Sequence, residues 1–285
     1  MMQRRTLLGL AGASAAVAAL GPTAIAAAGR AEPPDLDDEQ QLARAFRKLA
    51  YSLDETVMFW WMRGTRYGVV DSFATPFWDM YVGAWFTTHD LADDRYAVTM
   101  ASANFYTPPN STDLLEVFRN PYTGADVPIG YPPAKSRRTV MGREGGSAFG
   151  GDIQGMKSSH RDAIGPGWIE ADDVVIRGDM VLHAEPSDPA SDLAPLHVND
   201  WSTYVGRLAD VMDPAMKSTP AAQYFNDILI WPQWLKMGEQ SGSYVSRCFG
   251  RKVRSVEHMP KTWQKLFAQA MPEAAKDPLA ILEVS

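Results

Sequence analysis

Cysteine is almost missing: Cys248 is the only one in 285 residues. No intrachain disulfide can form, and a zinc site built on thiolates is excluded. Stability therefore rests on core packing, and Cys248 reads as a small buried hydrophobe rather than a nucleophile. The five histidines, His89, His160, His183, His197 and His258, include no H-x-H, H-x-x-x-H or H-E-x-x-H spacing. A metal would need ligands gathered from distant segments, so neither a metal nor a cofactor is expected. The glycine-rich run from Gly145 to Gly151 lacks the Lys-Ser/Thr ending of a phosphate loop and reads as an ordinary loop. There is no G-x-S-x-G elbow, which argues against an α/β-hydrolase. Positive charge is also short, with 27 Lys and Arg against 34 Asp and Glu and a formal net charge of -7. Such a chain is a poor partner for nucleic acid or an anionic membrane. It suits a small neutral or cationic molecule. The paired carboxylates Asp93-Asp94 and Asp172-Asp173 read as turn formers rather than a glycosidase pair.

Hydrophobic residues make up 46% of the chain and include nine tryptophans, enough for a substantial core. The first residues have the layout of an export signal. Arg4-Arg5 precede an apolar, Ala-rich run from Leu7 to about Ala19, and small residues follow at Ala24-Ile25-Ala26. The adjacent arginines resemble a twin-arginine signal, an address read by the export machinery. The run is too short and too rich in Ala and Gly for a stable membrane span. We expect a signal peptide over 1–28 with cleavage after Ala26 or Ala28, a linker over 29–36, and a periplasmic or secreted product.

Length alone allows one large β domain or two small ones; we read 37–285 as a single barrel-like domain. Asp37 is the expected cap of a helix reaching about Leu53, with Leu42, Phe46 and Leu49 at helical spacing. Strands then succeed one another: from Thr56, from Phe77 to His89, from Arg95 to Tyr106, from Leu114 to Asn120, and from Lys135 to Arg143. Trp168 to Glu185 reads as a hairpin turning near Asp172-Asp173 or as one long strand. Thr219 to Met237 fits a helical face or a strand, and Tyr244 to Val256 holds one or two strands. Pro260 opens a last helix with Trp263, Leu266, Phe267 and Ala270 inward. Helices sit at the two ends and do not alternate with strands, which argues against Rossmann and TIM patterns. The expected class is mainly β, an antiparallel closed or nearly closed barrel with flanking N- and C-terminal helices.

The stretch from Pro195 to Arg207 alternates like a strand. One face carries His197, Asn199, Trp201, Thr203 and Val205; the other carries Val198, Asp200, Ser202, Tyr204 and Gly206. His197 is the expected general base, oriented by Asn199, with Trp201 and Trp231 or Trp234 as pocket wall. Asp200 and Tyr204, on the other face, would join that base only through a bulge. The bland alternative makes Trp201 core and lets Asp200 and Arg207 pin strand ends. His160 and Arg161, read as part of a polar loop, would close the mouth over a substrate.

Four features carry a family resemblance: the twin-arginine leader, Asn199-Asp200-Trp201-Ser202-Thr203-Tyr204, Trp231-Pro232-Gln233-Trp234, and Arg254-Ser255-Val256-Glu257-His258-Met259-Pro260. Together they resemble the uncharacterised family known as domain of unknown function 1838. The resemblance implies a β-rich, calycin-like barrel and carries no catalytic residues. The expected function is an exported protein that binds a small apolar or aromatic molecule, leaning to a cofactor-independent lyase, dehydratase or isomerase step. The rivals are a lipocalin-like carrier without chemistry and a structural protein with a filled core.

Overall fold

Asp38 starts the first ordered element. Its carboxylate accepts hydrogen bonds from the backbone N–H groups of Gln40 (3.0 Å) and Gln41 (2.9 Å). It thereby caps α1 (Glu39–Ala50), one residue later than the sequence suggested and with an earlier end. The structure is a computed structural model that describes residues 32–153, 156–188, 191 and 195–284. The signal peptide expected over 1–28 lies outside the described residues, as does 29–31 of the linker.

Among the described residues twelve strands follow. They are β1 (Met58–Val70), β2 (Phe73–Asp90), β3 (Tyr96–Thr107), β4 (Val117–Arg119), β5 (Asp126–Pro128), β6 (Ser136–Met141), β7 (Ser147–Ile153), β8 (Met156–Glu170), β9 (Asp173–Pro186), β10 (Leu196–Arg207), β11 (Ala222–Ile230) and β12 (Ser243–Val253). A short helix, α2 (Leu208–Met212), follows β10, and α3 (Lys261–Ala270) and α4 (Pro272–Lys276) close the chain. Ten strands form one antiparallel sheet in the order β6-β3-β2-β1-β12-β11-β10-β9-β8-β7, and β4 pairs with β5 in a separate hairpin. The sheet curls into a nearly closed barrel. Its two edges, β6 and β7, meet through a tight turn in which Gly142 N–H donates to the Gly146 carbonyl at 2.6 Å. Among the described residues no ladder joins them, so this seam is the one unsealed joint.

Two local expectations are corrected and one ambiguity is resolved. The run Gly145–Gly151, read as a loop, is largely strand β7, and His160-Arg161-Asp162, also read as loop, lies within β8. β7 is an edge strand and β8 lies between it and β9; both are held by backbone pairing, which needs no apolar side-chain pattern. The ambiguous segment after Thr219 is strand β11 because Gln223, Phe225 and Asp227 alternate into the barrel. The hairpin turn near Asp172 is present, with Ala171 at φ 52°.

The core follows from which face each strand turns inward. Along β1 and β2 the inward residues pass from one end of the barrel to the other. At one end α1 fills the opening, and Phe46 and Leu49 pack with Trp60, Phe86, Tyr96 and Ile176. At the other, Phe77, Trp78 and Tyr244 pack with Phe118 of the β4–β5 hairpin and with Leu235. A third cluster lies outside the barrel, where α3 and α4 cover β1, β2 and β3. Here Trp263 is 1% exposed and donates its indole N–H to the Ala103 carbonyl at 3.1 Å. Gly83 makes room for it: a Cβ at that position would stand 2.2 Å from the indole. Trp263→Ala is expected to cost about 3–5 kcal/mol, the usual range for emptying a buried aromatic site. Urea unfolding measures this, and a loss under 1 kcal/mol would show that the outer cluster does not hold the fold.

Candidate functional site

The helix in the barrel mouth sets the phase of β10. Gly206 has no side chain, and a Cβ there would meet Leu49 Cδ2 at 2.4 Å. The face of β10 that carries Gly206 therefore points inward against α1, and Val198, Asp200, Ser202 and Tyr204 point with it. Tyr204 meets Phe46 edge-on at 5.3 Å between ring centroids. The alternate face, with His197, Asn199, Trp201, Thr203 and Val205, is outside. Trp201 is 47% exposed. His197 Nε2 lies 2.6 Å from Glu185 Oε1, and its ring sits 4.8 Å from that of His183 on the same outer surface. The structure thus does not bring His197, Asn199 and Trp201 to an internal pocket. The physical reason is the period of two: with one residue of phase, every side chain changes sides.

Inside, a cavity of about 270 Å3 lies between α1 and strands β3, β6, β8, β9, β10 and β11. Phe46, Val98, Met100, Met141, Ile164, Met180, Leu182 and Phe225 supply apolar wall, and Arg137, His160, Asp162, Asp200, Ser202, Tyr204 and Gln223 supply polar groups. No tryptophan is among the described lining residues. Trp231 stacks on Phe77 (6.3 Å) and Trp234 on Trp78 (6.0 Å) at the far end of the barrel. Arg161 points outward and is exposed. Of the residues expected to bind, His160 alone lines this cavity, and it comes from a strand, not a loop.

The electrostatics centre on Asp200. Its Oδ1 is buried without a hydrogen-bond partner among the described residues. Burial, then the negative charges of Asp227 and Asp162, push its carboxyl up to about 7, with Arg66 opposing. Asp227 is its cross-strand neighbour on β11 and is held differently. Asp227 Oδ1 accepts from Arg66 Nη1 at 2.6 Å and from the Ser246 backbone N–H at 2.7 Å. The Arg66 guanidinium also lies 4.1 Å over the Tyr244 ring. Across the cavity, His160 Nε2 is 2.8 Å from Asp162 Oδ2, which also accepts from Ser147 Oγ at 2.5 Å. Gln223 Nε2 donates to Ser202 Oγ (2.9 Å) and to the Tyr204 hydroxyl (3.2 Å). Burial pushes the Tyr204 phenol up to about 12.

Two neighbouring carboxylates thus have opposite environments, one ion-paired and one bare. This separates a fixed anion from a group that gives or takes a proton near neutral pH. Among the described residues no three His, Cys, Asp or Glu side chains gather as metal ligands would. No helix among them is long and apolar enough to cross a membrane. The sequence signal that marks this site is the inward glycine, Gly206, which fixes the face of Asp200. The spacing His160-x-Asp162 gives a second signal, since a strand places both side chains on one side.

The family resemblance has support over the C-terminal part of the chain. A family model described as "Protein of unknown function (DUF1838)" matches residues 197–285, which span β10 to the C-terminal helices. No curated protein and no solved structure matches the chain.

Asp200 leaves a mark on stability against pH. In the unfolded chain it ionises near pH 4, and in the folded protein near 7. Folding therefore meets no penalty from it below pH 4, a growing one between 4 and 7, and a constant one above. The charged and titratable groups around it are Asp227 of β11, Arg66 of β1, and His160 and Asp162 of β8. Asp200→Asn is expected to stabilise the protein at pH 8 by on the order of 2–4 kcal/mol, with the gain shrinking toward zero at pH 4. Urea unfolding at both pH values measures it; an equal gain at the two would place the titration elsewhere.

Proposed function

We propose that this protein binds a small, largely apolar or aromatic molecule inside the barrel and moves a proton on it without a cofactor, as in a lyase, dehydratase or isomerase step. The observation that carries this reading is the bare, buried Asp200 oxygen in a cavity with apolar walls. A carboxyl titrating near 7 is matched to proton transfer at neutral pH. An unpartnered buried oxygen is costly, and a guest that donates a hydrogen bond to it removes that cost. Asp200 acts as the base or acid. The His160–Asp162 pair stands ready to hold a polar group of the substrate, and the Ser202–Gln223–Tyr204 network orients it. A volume of about 270 Å3 suits a molecule at or below the small end of ordinary ligand sites, which begin near about 300 Å3. The protein acts after export by the twin-arginine route, in the periplasm or outside the cell, a reading supported by Arg4-Arg5 and the apolar run behind them.

Native mass spectrometry of the purified protein identifies a retained guest. Incubated with the protein in D2O, that guest is expected to gain deuterium at one carbon or to be converted. Asp200→Asn abolishes this while binding persists, and His197→Ala leaves it intact. A guest that is held but neither exchanged nor converted makes the protein a lipocalin-like carrier instead.

A further inference from the structure

We propose that the guest is an organic acid whose carboxylate is held by Arg137 at the cavity rim while its apolar body reaches inward toward Asp200; this rests on the cavity being the binding site.

Arg137, Thr139 and Met141 alternate on the inner face of β6, and all three line the cavity. Arg137 is exposed and makes no hydrogen bond or ion pair with any described residue. Other arginines of the molecule are tied down: Arg66 to Asp227, Arg47 to Asp90 and Arg143 to Asp94. Arg137 is also the one arginine or lysine among the described lining residues. Its charge is felt within the cavity, since it acts on the Tyr51 phenol there.

Arg137 and Asp200 stand on different walls. From β6 across the seam, β7, β8 and β9 intervene before β10. Along the way the lining offers the apolar side chains of Met141, Ile164 and Met180 beside the His160–Asp162 pair of β8. A molecule that spans this gap meets a guanidinium at one end and oily side chains along its length. The sign and position of the charge follow from what is free. Asp162 already has His160 against it and accepts from Ser147. A cationic head would have to travel to Asp200, losing its water deep in the barrel. A carboxylate stays at the rim, close to solvent, and meets a planar guanidinium whose paired N–H groups match its two oxygens. The overall charge of -7 favours neutral or cationic guests only at long range; at the rim the local guanidinium decides.

Three matched probes test this by titration calorimetry: 1-naphthoate, 1-naphthamide and 1-naphthylmethylammonium. Naphthoate is expected to bind the wild-type protein on the order of 10- to 100-fold more tightly than naphthamide, the usual worth of a charge-assisted hydrogen bond. Arg137→Gln lowers naphthoate to the level of naphthamide and leaves naphthamide unchanged, which also shows that the variant is folded. Arg137→Lys keeps part of the preference. Equal binding of acid and amide, a preference for the ammonium, or undiminished naphthoate binding by Arg137→Gln overturns the proposal and leaves the cavity as a binding site. No binding by any of the three overturns the cavity reading, and the proposal with it.

Discussion

The last carbonyl groups of a helix have no partners within the helix, and burying them without any is costly. In this protein α1 ends inside the mouth of the barrel, so its carbonyls need donors that come from the wall. Lys252, on the inner face of β12, supplies them: its Nζ donates to the Lys48 carbonyl at 2.6 Å and to the Tyr51 carbonyl at 2.8 Å. Lys48 does the same service for α2, donating to the carbonyls of Val211 at 2.5 Å and Asp213 at 2.8 Å. Burial, then the charge of Lys48, holds the Lys252 ammonium well below the usual lysine range, and the carbonyls are what it gains in return. The floor of the cavity depends on this tether, because Phe46 and Tyr51 hang from the segment it fixes.

With the helix in place, the interior divides into parts of different character. Rings and aliphatic side chains fill both ends. The middle holds three polar groupings, Arg66–Asp227 with Ser246 and, beside the cavity, His160–Asp162 and Ser202–Gln223–Tyr204. The first is close to an internal salt: its anion accepts several donors and is spent on structure. Asp200 is next to it and has no such provision. The same negative charge that Arg66 neutralises at Asp227 still raises the cost of ionising Asp200. The raised carboxyl of Asp200 is therefore set first by its own burial and then by the charge of its neighbour.

The architecture could be read in the sequence because it rests on signals that add up over many residues. Strand succeeded strand, helices lay at the ends, and Pro260 with Trp263 and Phe267 marked a helix that packs on the outside. The candidate site was harder to read, and for two specific reasons. Along β10 both faces mix polar and aromatic residues, so alternation gives the strand but not which side is wet. That choice belongs to Gly206 and Leu49, 157 positions apart, where contact with a distant helix admits only a missing side chain. Around Gly145 to Asp162 the composition is that of a loop, and what makes strands of it is backbone pairing, of β7 with β8 and of β8 with β9, which leaves no trace in residue type. Trp201, Trp231 and Trp234 show the converse: large rings gather at surfaces and end caps as readily as around a hollow.

A ring of strands that is laced at every boundary has a fixed girth, because widening it means tearing a ladder. Here, among the described residues, the lacing stops between β6 and β7, and the turn at Gly142 to Gly146 clasps the two ends. The wall can therefore spread or draw in at that clasp, as a bracelet does, with its pairings intact. Any change in the breadth of the interior is met by travel of the β6 margin rather than by repacking of the filled ends, and the compliance of the barrel is a property of that open clasp.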